Sequence, residues 1–294
     1  MITDVPGVLI GHWTGKGTGV TTLMFRNGAV GSCEVRGGSP ATRETSLLEP
    51  LRTVDRVDAI VLTGGSAFGL SAADGVLRAL AEHGIGFATR GGAVPIVPTA
   101  AIYDLVESDN SPPGPEEGRM ALAAAFRPGD FAPFVLGRVG AGTGASVGKW
   151  RGQEHSVPGG VGSASARDGE VVVGAVAVVN ALGDIIGADG QIIAGSTAPD
   201  GAPGFPDPEP FEHTTLVAVA TNARLTKQEC RLLAESAHDG LARSIHPAHT
   251  RHDGDIAFAI STGVIDEAAE APQLDRLRVL ATEVTAEAVR SAVT

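Results

Sequence analysis

Residues 195–213 read GSTAPDGAPGFPDPEPFEH, and the residues that follow, 214–221, read TTLVAVAT. The first stretch holds five prolines. Because proline lacks a backbone donor and has a fixed φ, this stretch predicts an exposed loop that ends at His213. The second stretch is apolar on both faces, which is typical of a strand buried inside a layered structure. The junction therefore predicts a buried strand that begins at Thr214, directly behind a long loop.

The remaining apolar patterns predict a mixed α/β fold with paired central strands and helices outside. Strands are predicted at residues 8–10, 20–25, 59–63, 171–180, 184–193 and 256–260, and a glycine-rich strand and turn at residues 135–146. Helices are predicted at residues 66–80, with Ser66 as the capping residue, and at 116–126, 226–245 and 272–293. The stretch 184–193 is expected to return as the hairpin partner of the strand at 171–180. Thr226 and Glu229 match a capping box at the start of the third helix.

Composition excludes several classes of protein. Hydrophobic residues make up 43% of the 294 residues and charged residues 19%, which is typical of a well-packed globular chain. The formal net charge is −12, and no cluster of Lys and Arg could displace counterions, so nucleic acid and anionic membranes are not expected as partners. No run of 18 apolar residues and no signal-like start is seen, so we expect a cytoplasmic protein. The two cysteines are expected to be free thiols.

Thr214 has a possible chemical role that depends on the bond before it. If the His213–Thr214 peptide bond were cut, Thr214 would carry both a hydroxyl and a free α-amine. An α-amine has an ordinary pKa of about 7.7–8.0, so it can act as the base for its own hydroxyl near neutral pH. Threonine is also a common first residue of a strand. Spacing alone favours that second interpretation.

Residues 245–255 (IHPAHTRHDGD) hold three histidines at intervals of three, followed by two carboxylates. Such groups can bind Zn²⁺. However, a proline and a glycine within the stretch oppose the helix that would bring His246 and His249 to one face. Asp253 and Asp255 could instead orient a catalytic group by hydrogen bonds. The simplest interpretation is a solvated turn before the next strand, and we predict no metal site.

Residues 137–149 (GRVGAGTGASVGK) are rich in glycine and end at Lys149. A phosphate-binding loop would need glycine where Thr143 stands, and Ser or Thr where Trp150 stands. A dinucleotide-binding loop needs a helix directly after it, but residues 152–169 are predicted to be a loop. We therefore predict no cofactor. The glycines are expected to bring backbone N–H groups close to a site, with Lys149 beside them.

Asn180 stands at the end of the predicted strand 171–180. A neutral amide at a strand end can donate a hydrogen bond to a developing oxyanion. Asparagine is equally good at forming turns, and by itself that interpretation is favoured.

Six stretches carry a resemblance to a known family: residues 5–12, 62–70, 97–104, 140–149, 213–222 and 245–255. In this order they resemble the P1-family peptidases, the group of the L-aminopeptidase/D-esterase, the β-peptidyl aminopeptidases and the nylon-oligomer endohydrolase. The resemblance spans most of the chain. The His213–Thr214 junction differs from the Gly-Ser of the aminopeptidase branch and is more similar to the Asn-Thr-Thr of the nylon-oligomer enzyme, in the threonine branch.

The resemblance implies an α/β fold, a four-layer αββα sandwich of the self-processing aminopeptidase and ornithine-acetyltransferase type. Residues 1–294 are then a single self-processing domain that cuts itself between His213 and Thr214. The products are an alpha chain, residues 1–213, and a beta chain, residues 214–294. The pieces are expected to stay associated in a homotetramer.

The same resemblance implies roles for particular residues. Thr214 corresponds to the nucleophile, Lys149 to the lysine beside it and Asn180 to the amide on the oxyanion side. Asp253 and Asp255 correspond to the acidic pair that positions the hydroxyl and the amine of the nucleophile.

Tyr103 is expected to line the substrate pocket. The expected activity is hydrolysis of amide bonds, in small peptides or in 6-aminohexanoate (nylon) oligomers, through a threonine acyl-enzyme. Alternatives are an aminopeptidase that acts on N-terminal or β-amino acyl residues, and an acyltransferase of the ornithine-acetyltransferase type. A binding module that never cuts itself and a metal-dependent hydrolase are further alternatives.

Overall fold

The computed structural model describes residues 1–126, 135–205, 212–265 and 273–294. The helices in these residues are α1 Ser66–Gly69, α2 Ala72–Glu82, α3 Pro115–Ala125, α4 Lys227–Ser244 and α5 Leu274–Ser291. The strands are β1 Val8–Thr14, β2 Gly19–Val35, β3 Ala41–Arg43, β4 Arg56–Thr63, β5 Phe87–Thr89, β6 Gly92–Val94, β7 Thr99–Ala101, β8 Ser146–Val147, β9 Val157–Pro158, β10 Gly160–Asp168, β11 Val171–Asn180, β12 Asp184–Ile186, β13 Ile192–Ala194, β14 Thr214–Thr221, β15 Ile245–His246 and β16 Ile256–Ser261. None of these helices is both long and apolar enough to cross a lipid bilayer.

The main sheet has the strand order β10-β11-β14-β16-β2-β4-β7-β3, and β1 pairs with β2. The long strand β2 connects its two halves. Its residues 19–25 pair with β1, and its residues 30–35 pair with β16. A register shift between Met24 and Ala29 separates these two parts. A bulge of this kind increases the bend and twist of a strand, so one strand can serve both halves of the sheet.

Alternating side chains place the two halves of the sheet face to face. Leu23 and Leu62 from one half meet Leu216 and Phe258 from the other half in a central core. The opposite face of the first half packs against α2 and α3. The opposite face of the second half packs against α4 and α5. The order of layers is helix, sheet, sheet, helix, which is the predicted four-layer αββα sandwich.

Most elements predicted from apolar patterns are confirmed, including the buried strands β11, β14 and β16. The predicted capping box at α4 is also confirmed. The backbone N–H of Glu229 donates to Thr226 Oγ1 at 3.2 Å, and the backbone N–H of Thr226 donates to the Glu229 carboxylate at 2.7 Å. Each of these bonds satisfies a donor that the first turn of a helix leaves unpaired.

The prediction that residues 184–193 return beside β11 is wrong. The two neighbours of β11 in the main sheet are β10 and β14, so both of its edges are taken. Residues 184–186 instead form β12, which pairs with β13 and β15 in a separate small sheet. The loop predicted at 152–169 is also wrong in its second half. There, residues 160–168 form β10, which is antiparallel to β11.

Two further predictions fail next to glycines. The helix predicted at 66–80 is interrupted between α1 and α2, and Ser66 is the first residue of α1 instead of its cap. Of the strand and turn predicted at 135–146, the strand is wrong: these residues form a loop with a short 3-10 helix at Gly140–Gly142, before β8 begins at Ser146. Gly140 has a φ of 49°, which strand geometry does not allow.

Candidate active site

Thr214 is the first residue of β14, and its backbone lies opposite Asn180, the last residue of β11. Only 5% of Thr214 is exposed. Its Oγ1 hydroxyl donates a hydrogen bond to the carbonyl oxygen of His213. The hydroxyl therefore lies against the peptide bond that the sequence singles out.

His213 is buried, with 3% of its surface exposed. The predicted exposed loop is therefore wrong at its last residue, although residues 195–205 are exposed or half-buried. The cause is a short parallel bridge between His213 and Asp253. Burial, together with the positive charges of Lys149 and His252, lowers the pKa of His213 to about 3. Its ring is therefore neutral at neutral pH.

The carbonyl oxygen of His213 also accepts the backbone N–H of Gly254 at 2.8 Å. Two donors thus converge on this oxygen, one from Thr214 and one from the loop before β16. Sequence reasoning did not single out Gly254. A backbone donor leaves no signature in residue type, and only the bridge between two distant segments creates this contact.

Lys149 anchors the side chain of Asn180. The lysine Nζ donates to Asn180 Oδ1 at 2.8 Å and to the Asn180 carbonyl oxygen at 3.1 Å. The backbone N–H of Ser146 donates to the same Oδ1 at 3.0 Å. With its oxygen held from two sides, Asn180 directs Nδ2 to the carbonyl oxygens of Tyr103 and Glu212, each at 3.2 Å.

The glycine-rich stretch lets the chain approach this closely. Gly148, just before Lys149, has a φ of 74°, and a Cβ there would lie 2.3 Å from the backbone nitrogen of Ser196. Only glycine adopts this conformation at low cost and fits the space. The backbone N–H that this glycine-rich stretch brings to Asn180 is that of Ser146.

The two carboxylates have different surroundings. Asp255 Oδ1 accepts the backbone N–H of Thr215 at 2.7 Å, so this carboxylate touches the start of β14. Asp253 Oδ2 accepts the backbone N–H and the hydroxyl of Thr250, at 2.8 and 2.7 Å. Burial and the charge of Asp255 raise the pKa of Asp253 to about 6. Asp253 therefore stabilises the turn at Thr250, whereas Asp255 bonds the first residues of β14.

The three histidines of residues 245–255 face different partners. His246 is exposed in β15, His249 Nδ1 lies 2.8 Å from Asp255 Oδ2, and His252 Nε2 accepts from Arg251 at 3.1 Å. Across the described ranges, no three His, Cys, Asp or Glu side chains are grouped in a way that could hold a metal ion.

A cavity of about 110 Å³ lies beside this cluster, and its lining includes Tyr103, Lys149, Asn180 and Glu212. Burial and the neighbouring Glu212 carboxylate, which bonds the phenol, raise the pKa of Tyr103. Tyr103 thus stands at the wall of this cavity, and its role in binding substrate stays a prediction from the resemblance. The end of the long loop, at Glu212, forms part of the same wall.

Solved structures of other proteins share this fold. A beta-aminopeptidase from Burkholderia sp. matches 99% of this chain and 85% of its own, with a TM-score of 0.75 and 24% identity. An L-aminopeptidase D-Ala-esterase/amidase from Ochrobactrum anthropi, described as a variant of the Ntn hydrolase fold, has the same coverage, a TM-score of 0.74 and 21% identity. The chain has this Ntn hydrolase fold.

Sequence comparison is more specific. Residues 1–294 match the family described as Peptidase family S58. An uncharacterized aminopeptidase from Mycobacterium leprae is 41% identical over 298 aligned positions, which cover 92% of this chain and 80% of the relative. The 6-aminohexanoate-oligomer endohydrolase of Paenarthrobacter ureafaciens is 35% identical over 285 positions, 90% of this chain and 75% of the relative. The chain belongs to peptidase family S58, and it is a hydrolase of amide bonds, as its sequence predicts.

Proposed function

We propose that the chain cuts its own peptide bond between His213 and Thr214, and that the freed Thr214 is the nucleophile that hydrolyses amide substrates. One observation carries this proposal. The Thr214 hydroxyl donates to the carbonyl oxygen of the preceding residue, while the Gly254 N–H holds the same oxygen at 2.8 Å. The nucleophile, the bond and an oxyanion donor are thus assembled before any chemistry occurs.

In the proposed self-cleavage, Thr214 Oγ1 bonds to the carbonyl carbon of His213. The negative charge that develops on the carbonyl oxygen is stabilised by the Gly254 N–H. The carbon–nitrogen bond then breaks, and the nitrogen takes the proton that the hydroxyl gave up. The result is an ester on Thr214 with a free α-amine. Water hydrolyses the ester, which leaves residues 1–213 and residues 214–294.

In turnover, the α-amine of Thr214 takes the proton from its own hydroxyl as Oγ1 attacks a substrate carbonyl. Lys149 holds Asn180 so that Nδ2 faces the cavity side. After the cut, the end of the first piece is no longer covalently joined to β14. The Glu212 carbonyl can then move away, so that Asn180 Nδ2 is able to donate to the substrate oxyanion instead. One such donor contributes about 10²–10³ in rate. The α-amine then returns the proton to the leaving amine, and water resolves the acyl-enzyme.

For substrates, we propose short oligoamides, of the kind named for the endohydrolase that is 35% identical. The aminopeptidase name of the mycobacterial relative, at 41% identity, supports a second candidate, cleavage of N-terminal residues from peptides. A panel of linear 6-aminohexanoate oligomers, β-amino acyl amides and peptides with free and blocked N-termini separates these candidates. Hydrolysis of the peptides with free N-termini, but not of the same peptides with blocked N-termini, would favour the aminopeptidase. Assembly as a cytoplasmic homotetramer stays a prediction from the sequence.

The variants Thr214→Ala and Thr214→Ser test the nucleophile. We expect the wild type to give two bands on denaturing electrophoresis, with Thr214 as the new N-terminus. The alanine variant should stay a single inactive chain, and the serine variant should still cut itself because it keeps the hydroxyl. A single full-length band in active wild-type protein would refute the proposal. Hydrolysis by the alanine variant would move the nucleophile to another residue.

A further inference from the structure

The carboxylate of Asp255 is held at both of its oxygens. Oδ1 accepts, at 2.7 Å, the backbone N–H of Thr215, the residue of β14 that follows the proposed nucleophile. Oδ2 accepts two donors from His249, the ring Nδ1 at 2.8 Å and the backbone N–H at 3.2 Å. The carboxylate is 2% exposed and the imidazole 18%. Both hydrogen bonds described for Asp255 Oδ2 thus come from His249, whereas Oδ1 bonds the start of β14.

The ring of His249 is itself fixed from behind. Nε2 lies 3.4 Å from the carbonyl oxygen of His238. The two imidazoles meet edge to face, with centroids 4.9 Å apart at 71°. His238 is held in turn, with Nε2 at 2.9 Å from the carbonyl oxygen of Glu34 in β2. The ring of His249 therefore has one orientation, set by contacts from α4 and β2.

Both ring nitrogens of His249 face oxygens that only accept, a carboxylate and a backbone carbonyl. A histidine that donates from both nitrogens is a cation. Burial acts against this charge and Arg36 opposes it, but the hydrogen bond and the charge of Asp255 outweigh them, and the pKa of His249 is raised. Burial lowers the pKa of the neighbouring His238 to about 4. The edge-to-face pair therefore combines a ring with a raised pKa at Asp255 and a ring with a lowered pKa behind it.

We propose that His249 is a positioning residue for the nucleophile, acting through Asp255 and not as a metal ligand. Its Nδ1–H orients the Asp255 carboxylate so that Oδ1 fixes the Thr214–Thr215 peptide, and with it the direction in which the Thr214 hydroxyl points. This inference rests on the proposed role of Thr214. The same orientation serves both self-cleavage and turnover, because both use Oγ1.

Asparagine and glycine make a matched pair of substitutions at this position. His249 has a φ of 56°, which asparagine and glycine both tolerate. The Nδ2 of asparagine occupies the same branch position as Nδ1 of histidine, so His249→Asn keeps a donor to Asp255 without the charge. His249→Gly keeps the backbone and removes the donor. The difference in activity between the two variants therefore measures the effect of the side-chain hydrogen bond, because both variants tolerate the backbone conformation of the turn.

The variants are compared after thermal melting has shown that they fold cooperatively. We expect His249→Gly to cut itself slowly and to lose about 100-fold in kcat with little change in KM, the order expected from a displaced catalytic group. His249→Asn should stay within about tenfold of the wild type, since it loses the charge but keeps one hydrogen bond. Wild-type cutting and kcat in the glycine variant would overturn the inference. An asparagine variant that falls as far as the glycine variant would overturn it too.

A measurement on folded protein keeps the inference testable if neither variant folds. In the uncut Thr214→Ala chain labelled with ¹⁵N-histidine, NMR should show Nδ1 of His249 protonated at neutral pH, and a bare Nδ1 would overturn the proposal. The wild-type control separates the two failures. Uncut but active wild-type protein refutes the self-cleaving nucleophile, whereas cut, active wild-type protein matched by His249→Gly refutes only the role of His249.

Discussion

At the residue scale, Gly254 shows how closely the chain approaches the proposed nucleophile. A Cβ at this position would lie 2.6 Å from Thr214 Oγ1 and 3.0 Å from the carbonyl oxygen of Ser39. The first distance is shorter than any normal carbon–oxygen contact, so the hydroxyl must move if a side chain is added. The N–H of the same residue bonds the His213 carbonyl oxygen at 2.8 Å. Glycine thus leaves room for the hydroxyl on one side and supplies a donor on the other.

We therefore predict that Gly254→Ala folds but cuts itself at least about 100-fold more slowly than the wild type, because a small displacement of reacting groups costs about that factor. The measurement is a time course of band intensities on denaturing gels after purification. Gly91→Ala is the matched control, since the nearest atom to its added Cβ lies 3.8 Å away. Cutting at the wild-type rate in Gly254→Ala would contradict the proposed geometry.

At the scale of elements, the pairing of β1 with β2 places a titratable side chain inside the fold. His12 of β1 lies opposite Thr21 of β2, and its Nδ1 is 2.9 Å from Thr21 Oγ1. Burial lowers the pKa of His12 to about 4, from 6.5 in an unfolded chain. The folded state therefore binds this proton more weakly than the unfolded state. The contribution of His12 to stability is complete above pH 6.5 and is lost as the pH falls towards 4.

Between pH 7 and pH 5, we expect the free energy of unfolding to fall more in the wild type than in His12→Asn, by on the order of 1 kcal/mol. Asparagine does not titrate and offers its amide at the position of Nδ1. Urea unfolding at the two pH values gives the change, and the exposed His83→Asn controls for the replacement of a histidine as such. Parallel stability profiles for the wild type and His12→Asn would contradict the assigned cause.

At the scale of the whole molecule, the pieces that self-cleavage would produce are interleaved in one sheet. Strands β14 and β16 belong to residues 214–294, and they lie between β11 and β2 of residues 1–213. Helices α4 and α5 pack against the same half of the sheet. Separating the pieces would break the ladders between β11 and β14, between β16 and β2 and between β12 and β15, and it would expose the central core. The cut at His213 alone would therefore not release them.

Accordingly, we expect the cut protein to elute as one species on native gel filtration, at the volume of the uncut Thr214→Ala variant. The two pieces should separate only in denaturant, as mass spectrometry of the fractions would show. Separate elution of the pieces in native buffer would refute this arrangement of the sheet.

How much of the molecule the sequence determines depends on the range of the interactions. The apolar runs of β11, β14 and β16 and the capping box of α4 are local patterns, because propensity and burial act on neighbouring residues. The four-layer order and the family were accessible through ordered motifs. The same motifs made Lys149, Asn180, Thr214, Asp253 and Asp255 candidates for the site, and their roles stay predictions.

Only the tertiary structure decided which groups touch. The sequence did not show that β12 leaves the main sheet, since a strand pairs with whichever edge is open, and both edges of β11 are taken. Nor did it show that His213 is buried, that Gly254 bonds its carbonyl, or that His249 holds Asp255. These contacts join segments that lie far apart in the chain or depend on one backbone conformation. The sequence thus made Thr214 a candidate nucleophile. Its position against the His213 carbonyl, however, depends on the strand pairing that buries both residues.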